Sequence, residues 1–422
     1  MGADPGVVVI GAGPGGLATA AELGRRGIAA VVLERAAKPA ASWRAHYDRL
    51  HLHTPRFLSH LPGLRIPAEE GRWVSRDGVV RYLDRYVEHH GIRVRTAVEV
   101  TRVDRHAGAW LVHTASGDVP AAAVVVATGH NHTPHVPQWP GLAGFTGEVA
   151  HAAGYRNGQP YAGRDVLVVG AGNTGAEVAV DLVEHGARQV WLAVRTPPHI
   201  LRRQTFGVPA TLGGVVMRHL PPRVADALIE PLRRRSVPDL TAHGLPDPGP
   251  GAYARAARGE IPVLDVGLVD AVRDGRVEPV AGVTGFDGSR VLLADGSSVE
   301  PEVVIAATGY RRGLEPLVGH LGVLDRTGRP VPRGARTLPA APGLYFVGFA
   351  NPVSGMFREI GIEARRVARA VEEGRPPGDG GPAARRRRPP DPAVPEPLSR
   401  PVSGAADDAA NATTAEAAGV AS

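Results

Sequence analysis

One segment constrains this 422-residue chain more than any other: VVVIGAGPGGLATAAELGRRGIAAVVLER, residues 7–35. An apolar run leads into Gly11, Gly13 and Gly16, then a helical stretch, then a second apolar run closing on Glu34. The order is strand, glycine turn, helix, strand. Gly11 permits the tight turn, Gly13 lets a pyrophosphate approach the backbone, and Gly16 lets the helix pack on the sheet. The helix start offers free N–H groups and its dipole to phosphate. A carboxylate about 20 residues further on suits ribose hydroxyls.

The unit occurs twice. DVLVVGAGNTGAEVAVDLVEHGARQVWLAVR, residues 165–195, repeats it with Gly170, Gly172 and Gly175, and Arg195 stands where the first copy has Glu34. A carboxylate there repels a 2′-phosphate, whereas a guanidinium pairs with it in fork geometry. The first site therefore suits FAD and the second NADPH. Each unit is followed by short alternating strands, VEVTRVDRHAGAWLVHTASGD and VEPVAGVTGFDGSRVLLADGSS, and then by a strand closing on ATG. Such pairing indicates internal duplication. The expected fold is α/β, a two-dinucleotide-binding-domain flavoprotein with two Rossmann-like domains, each carrying a β-meander. Residues 1–150 and 306–372 should form the FAD-binding domain and 151–305 the NADPH-binding domain. The weakly patterned segment 205–260 should contribute the substrate cavity or its lid. Residues 373–422, rich in Pro, Ala and Arg, read as a disordered tail.

Composition removes several classes. The chain has no cysteine, which excludes structural disulfides, cysteine-ligated metals and a redox-active disulfide beside a flavin. A net charge of +6 comes almost wholly from arginine, and the run at 385–388 sits in the tail among offsetting acids. That arrangement reads as solvated rather than nucleic-acid-binding. No apolar run reaches the ~18 residues of a membrane helix, and the first strand begins too early for a signal peptide. A cytoplasmic protein with no membrane or nucleic-acid partner is expected. His51 and His53 would share one face of a strand, but no third ligand stands beside them, so no metal is expected.

The stretch FTGEVAHAAGYRN, residues 145–157, lies between the two units and places Phe145, Gly147, His151 and Tyr155 in the spacing FxGxxxHxxxY. This resembles the fingerprint of the flavin-containing monooxygenases. GNTGAEVAVDL, IPVLDVG (261–267), GLYFVGF (343–349) and the Trp43 region SWRAHYDRLHLHTPRF resemble its plant YUCCA-type branch, which converts indole-3-pyruvate to indole-3-acetate. The resemblance covers nearly all of residues 7–372. It implies that NADPH reduces FAD, that dioxygen adds to give a C4a-(hydro)peroxyflavin, and that this oxygenates a small-molecule substrate. His53 falls where other members place an asparagine near the flavin, and His151 at the joint that couples reduction to oxygen chemistry. Further FAD contacts implied are Arg35, Trp43, Val100, Thr128 and Gly348; Asn173, Thr174 and Thr308 belong to the NADPH side. Arg56 stands where lysine is usual, and NPVSGMFREIGIEARRVARAV departs from the plant pattern. A substrate carboxylate needs one cationic group in an apolar cavity, which Arg56, Arg202 or Arg358 could supply. Arg202 and Arg203 together could hold NADPH phosphates or a substrate carboxylate, or simply be solvated. Oxygenation of an amine or sulfide, Baeyer–Villiger oxidation of a simple ketone, and non-catalytic nucleotide binding remain as alternatives, and oligomeric state is open.

Overall fold

The structure is a computed structural model and describes residues 6–374 apart from 107, 206, 218, 219, 258, 259, 351 and 353. Two five-stranded parallel sheets organise it. In the first, the order is Leu344–Phe346, Ala123–Val126, Val7–Ile10, Ala30–Leu33, Val94–Arg95. In the second it is Glu148–His151, Val303–Ala306, Asp165–Val169, Gln189–Val194, Glu278–Ala281. The central strands are runs of Val, Ile and Ala buried along their whole length, as parallel strands covered on both faces must be.

The two sheets have the same strand order, but their outermost strands are drawn from opposite directions along the chain. The first sheet takes its strand from residues 344–346, after the second domain, and the second takes its own from residues 148–151, before its glycine loop. The boundary expected at 150/151 therefore falls inside a strand of the second sheet, as Val149 pairs with Val304 and Ala150 with Ile305. Likewise Ala306, expected to open the closing part of the first domain, still pairs in the second sheet.

Two antiparallel meanders stand apart from the main sheets, over 100–121 and 283–299. Glu278–Ala281, expected as part of the second meander, instead pairs with Gln189–Val194. The C-terminal helix Met356–Glu373 buries Phe357, Ile360, Ala364, Val367, Ala368 and Val371, a helical stripe, against the alanine-rich first Rossmann helix Pro14–Gly24. It runs to Glu373, the first residue of the expected tail; residues 375–422 lie outside the described part. Among the described residues no helix is long and apolar enough to cross a membrane.

Candidate functional site

The glycines of the first loop do three different things. Gly11 sits at φ +101°, and a Cβ there would lie 2.7 Å from the Ala127 carbonyl oxygen. A Cβ on Gly16 would lie 1.8 Å from the Gly11 carbonyl, whereas one on Gly13 would meet nothing within 4 Å. Two glycines hold the loop closed and the third leaves its outer face open. Glu34, 8% exposed, accepts hydrogen bonds from the Ala12 N–H at 2.7 Å and the Ala36 N–H at 2.9 Å. Each carboxylate oxygen keeps a lone pair for a ribose. The buried Thr128 hydroxyl has no hydrogen-bond partner among the described residues. An open phosphate cradle, an anchored acid and a spare hydroxyl fit FAD.

The second loop repeats the geometry: Gly170 at φ +112° against the Ala307 carbonyl, Gly175 against the Gly170 carbonyl at 1.8 Å, Gly172 open. Arg195 follows its strand, exposed. Thr174 lies in the first turn of the second Rossmann helix, Asn173–Glu184. Two residues expected on this side are engaged elsewhere. Thr308 donates its hydroxyl to the His135 carbonyl. Asn173 donates to the Pro262 carbonyl and accepts from the Leu264 N–H at 2.8 Å. Asn173 thus fastens the 261–267 segment, whose Ile261, Pro262 and Leu264 line a large cavity.

That cavity has a volume of about 1060 Å³ and extends from the first glycine loop past Trp43, His53 and Thr54. Arg35, Val100, Thr128 and Gly348 line it, and Ala210, Thr211, Gly214, Ala252 and Tyr253 of the 205–260 segment complete its wall together with Met356 and Phe357. None of the three arginines considered for a substrate carboxylate belongs to the wall among the described residues. Arg56 donates to the Gly71 and Ile66 carbonyls, Arg202 to the Ser236 carbonyl, and Arg358 pairs with Glu359. A guanidinium satisfies backbone carbonyls readily because its donors form a rigid fork. Arg203 lies 4.6 Å from the Trp73 ring centroid. Thr211, by contrast, is 6% exposed and its hydroxyl has no partner among the described residues.

No strand runs through His51 and His53. His51 makes one bridge to Ser75 and contacts the Arg49 carbonyl through Nδ1, while His53 sits in a bend. The His53 Nε2 lies 2.8 Å from Glu177 Oε1. Tyr47 meets the same carboxylate: burial, and then Glu177, push its hydroxyl well above the ordinary range. Sequence reasoning missed Glu177, although two acids within the otherwise apolar helical run AEVAVDL were a signal. Nothing local marked Thr211.

In the fingerprint stretch, Phe145 packs on Phe286 at 5.1 Å, and Tyr155 donates to Asp181 at 2.6 Å. A Cβ on Gly147 would strike the Glu302 carbonyl at 2.7 Å. His151 accepts from the Ala153 N–H at Nδ1 (3.0 Å), which leaves Nε2–H to donate to the Gly309 carbonyl (3.1 Å). Burial holds its pKa below the ordinary value. His151 is not in the cavity wall, but Ala153 and Tyr310, which it contacts, are.

Residues 8–205 match the family model described as pyridine nucleotide-disulphide oxidoreductase. The chain is 38% identical to the indole-3-pyruvate monooxygenase YUCCA1 of Oryza sativa subsp. japonica, over 82% of this chain and 87% of that protein. It is 35% identical to the probable indole-3-pyruvate monooxygenase YUCCA3 of Arabidopsis thaliana, over 87% and 86%. The structure is similar to a flavin-containing monooxygenase from Stenotrophomonas maltophilia, with TM-score 0.65, 25% identity and coverage of 87% and 98%. Cyclohexanone monooxygenase from Rhodococcus sp. Phi1, bound to NADP⁺, shares the fold at TM-score 0.66 and 20% identity, over 87% and 84%. With two intact nucleotide loops and relatives this similar along most of its length, the chain belongs to the YUCCA family of flavin monooxygenases and is an oxidoreductase that works with FAD and NADPH.

Proposed function

We propose that this enzyme converts an aromatic 2-oxo acid, indole-3-pyruvate foremost, to the corresponding acetate. The 2-oxo acid, O₂, NADPH and a proton become the acetate, CO₂, NADP⁺ and water, with one oxygen atom entering the new carboxylate. The observation that carries the reading is the single cavity joining the FAD loop to a chamber walled by Leu201, Ile261, Leu264, Met356 and Phe357. An apolar chamber suits an indole or phenyl ring. The names of the relatives support the same substrate class. A cytoplasmic site of action fits the demand for NADPH.

Bound FAD supplies the redox chemistry, taking reducing equivalents from NADPH and activating dioxygen. The chain supplies placement. Gly11 and Gly16 shape the loop whose backbone receives the pyrophosphate at Gly13, Glu34 accepts from the ribose, and Thr128 donates to the cofactor. Gly170, Gly172, Gly175 and Thr174 do the same for NADPH, and Arg195 reads its 2′-phosphate. The enclosing walls keep water from the reacting centre. His53 handles a proton at the cavity wall, and Thr211 offers the substrate's polar end a hydrogen-bond donor. With Arg56, Arg202 and Arg358 occupied, that end relies on hydroxyl and imidazole groups. His151, fixed by two backbone partners, keeps the joint between domains in register.

Incubation with indole-3-pyruvate, NADPH and ¹⁸O₂ tests the reading. Indole-3-acetate should carry one labelled oxygen and the CO₂ none. Failure to form labelled acetate, together with NADPH-coupled oxidation of an amine or sulfide, would replace it with N- or S-oxygenation.

A further inference from the structure

The second Rossmann helix carries two buried acids one turn apart, Glu177 and Asp181, each 3% exposed. Asp181 has a settled partner in the Tyr155 hydroxyl. Glu177 stands differently. Its Oε1 is buried, with no aligned hydrogen-bond donor among the described residues, yet His53 Nε2 is 2.8 Å away. The opposite ring nitrogen, His53 Nδ1, is buried and unpartnered too. The distance is that of a charge-assisted hydrogen bond, which forms once the imidazole turns into line with the carboxylate. A buried carboxylate is costly unless something engages it; Tyr47 meets this one, and His53, 2.8 Å from it, also lines the cavity. The two residues come from different domains, so their contact forms only when the glycine loops are assembled around one cavity.

We propose that Glu177 is the positioning residue for His53. Its carboxylate accepts the Nε2–H, fixes the ring's orientation and tautomer, and leaves the buried Nδ1 as the ring's acceptor. The logic is that of a carboxylate orienting a working imidazole, in which one nitrogen is set by the hydrogen bond the other makes. Tyr47 meets the same carboxylate. The inference rests on the reading of His53 as the imidazole that handles a proton.

The test is ¹⁵N NMR of the protein labelled at its histidine rings, with His53 assigned by the signal lost in His53→Asn. Wild type should show a protonated, pyrrole-type Nε2 and a pyridine-type Nδ1. Glu177→Leu should lose that bias and show both tautomers, and Glu177→Gln, closer in shape, should weaken it. Oxygenation should fall by roughly 10- to 100-fold in both, the range found where a carboxylate orients a metal-bound imidazole. FAD content and KM for NADPH should hold, and Glu177→Asp should restore part of the loss. Protonation at Nδ1 in wild type, or an unchanged tautomer in both variants, overturns the proposal. Unimpaired turnover in His53→Asn would instead overturn the role given to His53, whatever the NMR shows of Glu177.

Discussion

Arg195 shows how much one side chain can decide at the residue scale. It is exposed at the end of its strand, makes no ion pair among the described residues, and stands where the first domain has Glu34. A charge-assisted contact to a 2′-phosphate contributes about 1.5–3 kcal/mol. Arg195→Ala should therefore raise KM for NADPH by roughly 10- to 150-fold and leave KM for NADH nearly unchanged. Steady-state kinetics with the two cofactors checks this, and equal effects would remove Arg195 from phosphate recognition. Glu34 and Arg195 could both be picked out as candidates from position alone, because strand ends fall at a fixed distance after the glycines. The arginines suggested for a substrate carboxylate were not readable. Whether Arg56 faces the cavity or the Ile66 and Gly71 carbonyls depends on a loop path that periodicity does not encode.

The strand–loop–helix element makes a sharper prediction, because its glycines fail in different ways. A Cβ at Gly16 would lie 1.8 Å from a backbone carbonyl, while one at Gly13 would meet nothing within 4 Å. Gly16→Ala must move backbone, so the apoprotein should lose about 1–3 kcal/mol or more in urea denaturation and bind FAD poorly. Gly13→Asp should fold with near-normal stability yet purify colourless, because its carboxylate would oppose the pyrophosphate. Retained FAD in Gly13→Asp would sink the assignment of that loop. The element itself was plain in the sequence, since a strand, turn and helix lie within 30 residues and each has its own period. The strand Glu148–His151 was not: it carries no apolar run, and its place is fixed by pairing with Val303–Ala306 far along the chain.

Across the whole molecule, half-buried imidazoles set the response to pH. Burial lowers His46, His60, His90, His130, His132 and His151 from 6.5. Below that value the unfolded chain takes up protons at these positions while the folded protein resists, so the unfolded state binds more. Their contribution is complete above about pH 6.5 and is lost as pH falls through the lower folded values. Glu363, raised by burial, acts in the opposite sense, as a single group. The urea midpoint of the protein should fall between pH 7 and pH 5 and recover on return. A midpoint flat over that span would show that these rings charge freely in the folded state.

The sequence by itself determined that two Rossmann units exist and that no cysteine chemistry accompanies the flavin, and it set the expectation of FAD at the first unit and NADPH at the second. Those conclusions come from short segments in which glycine, charge and apolar period act on near neighbours. Only the tertiary structure decided where the domains divide, because the outermost strands of the two sheets come from opposite directions along the chain. It also brought His53 to Glu177, left Thr211 at the cavity wall and turned three candidate arginines away from it. Such contacts join positions from separate elements, and their geometry follows from loop paths and packing between domains. Local pattern says which face of an element is buried; it does not say what that face will meet.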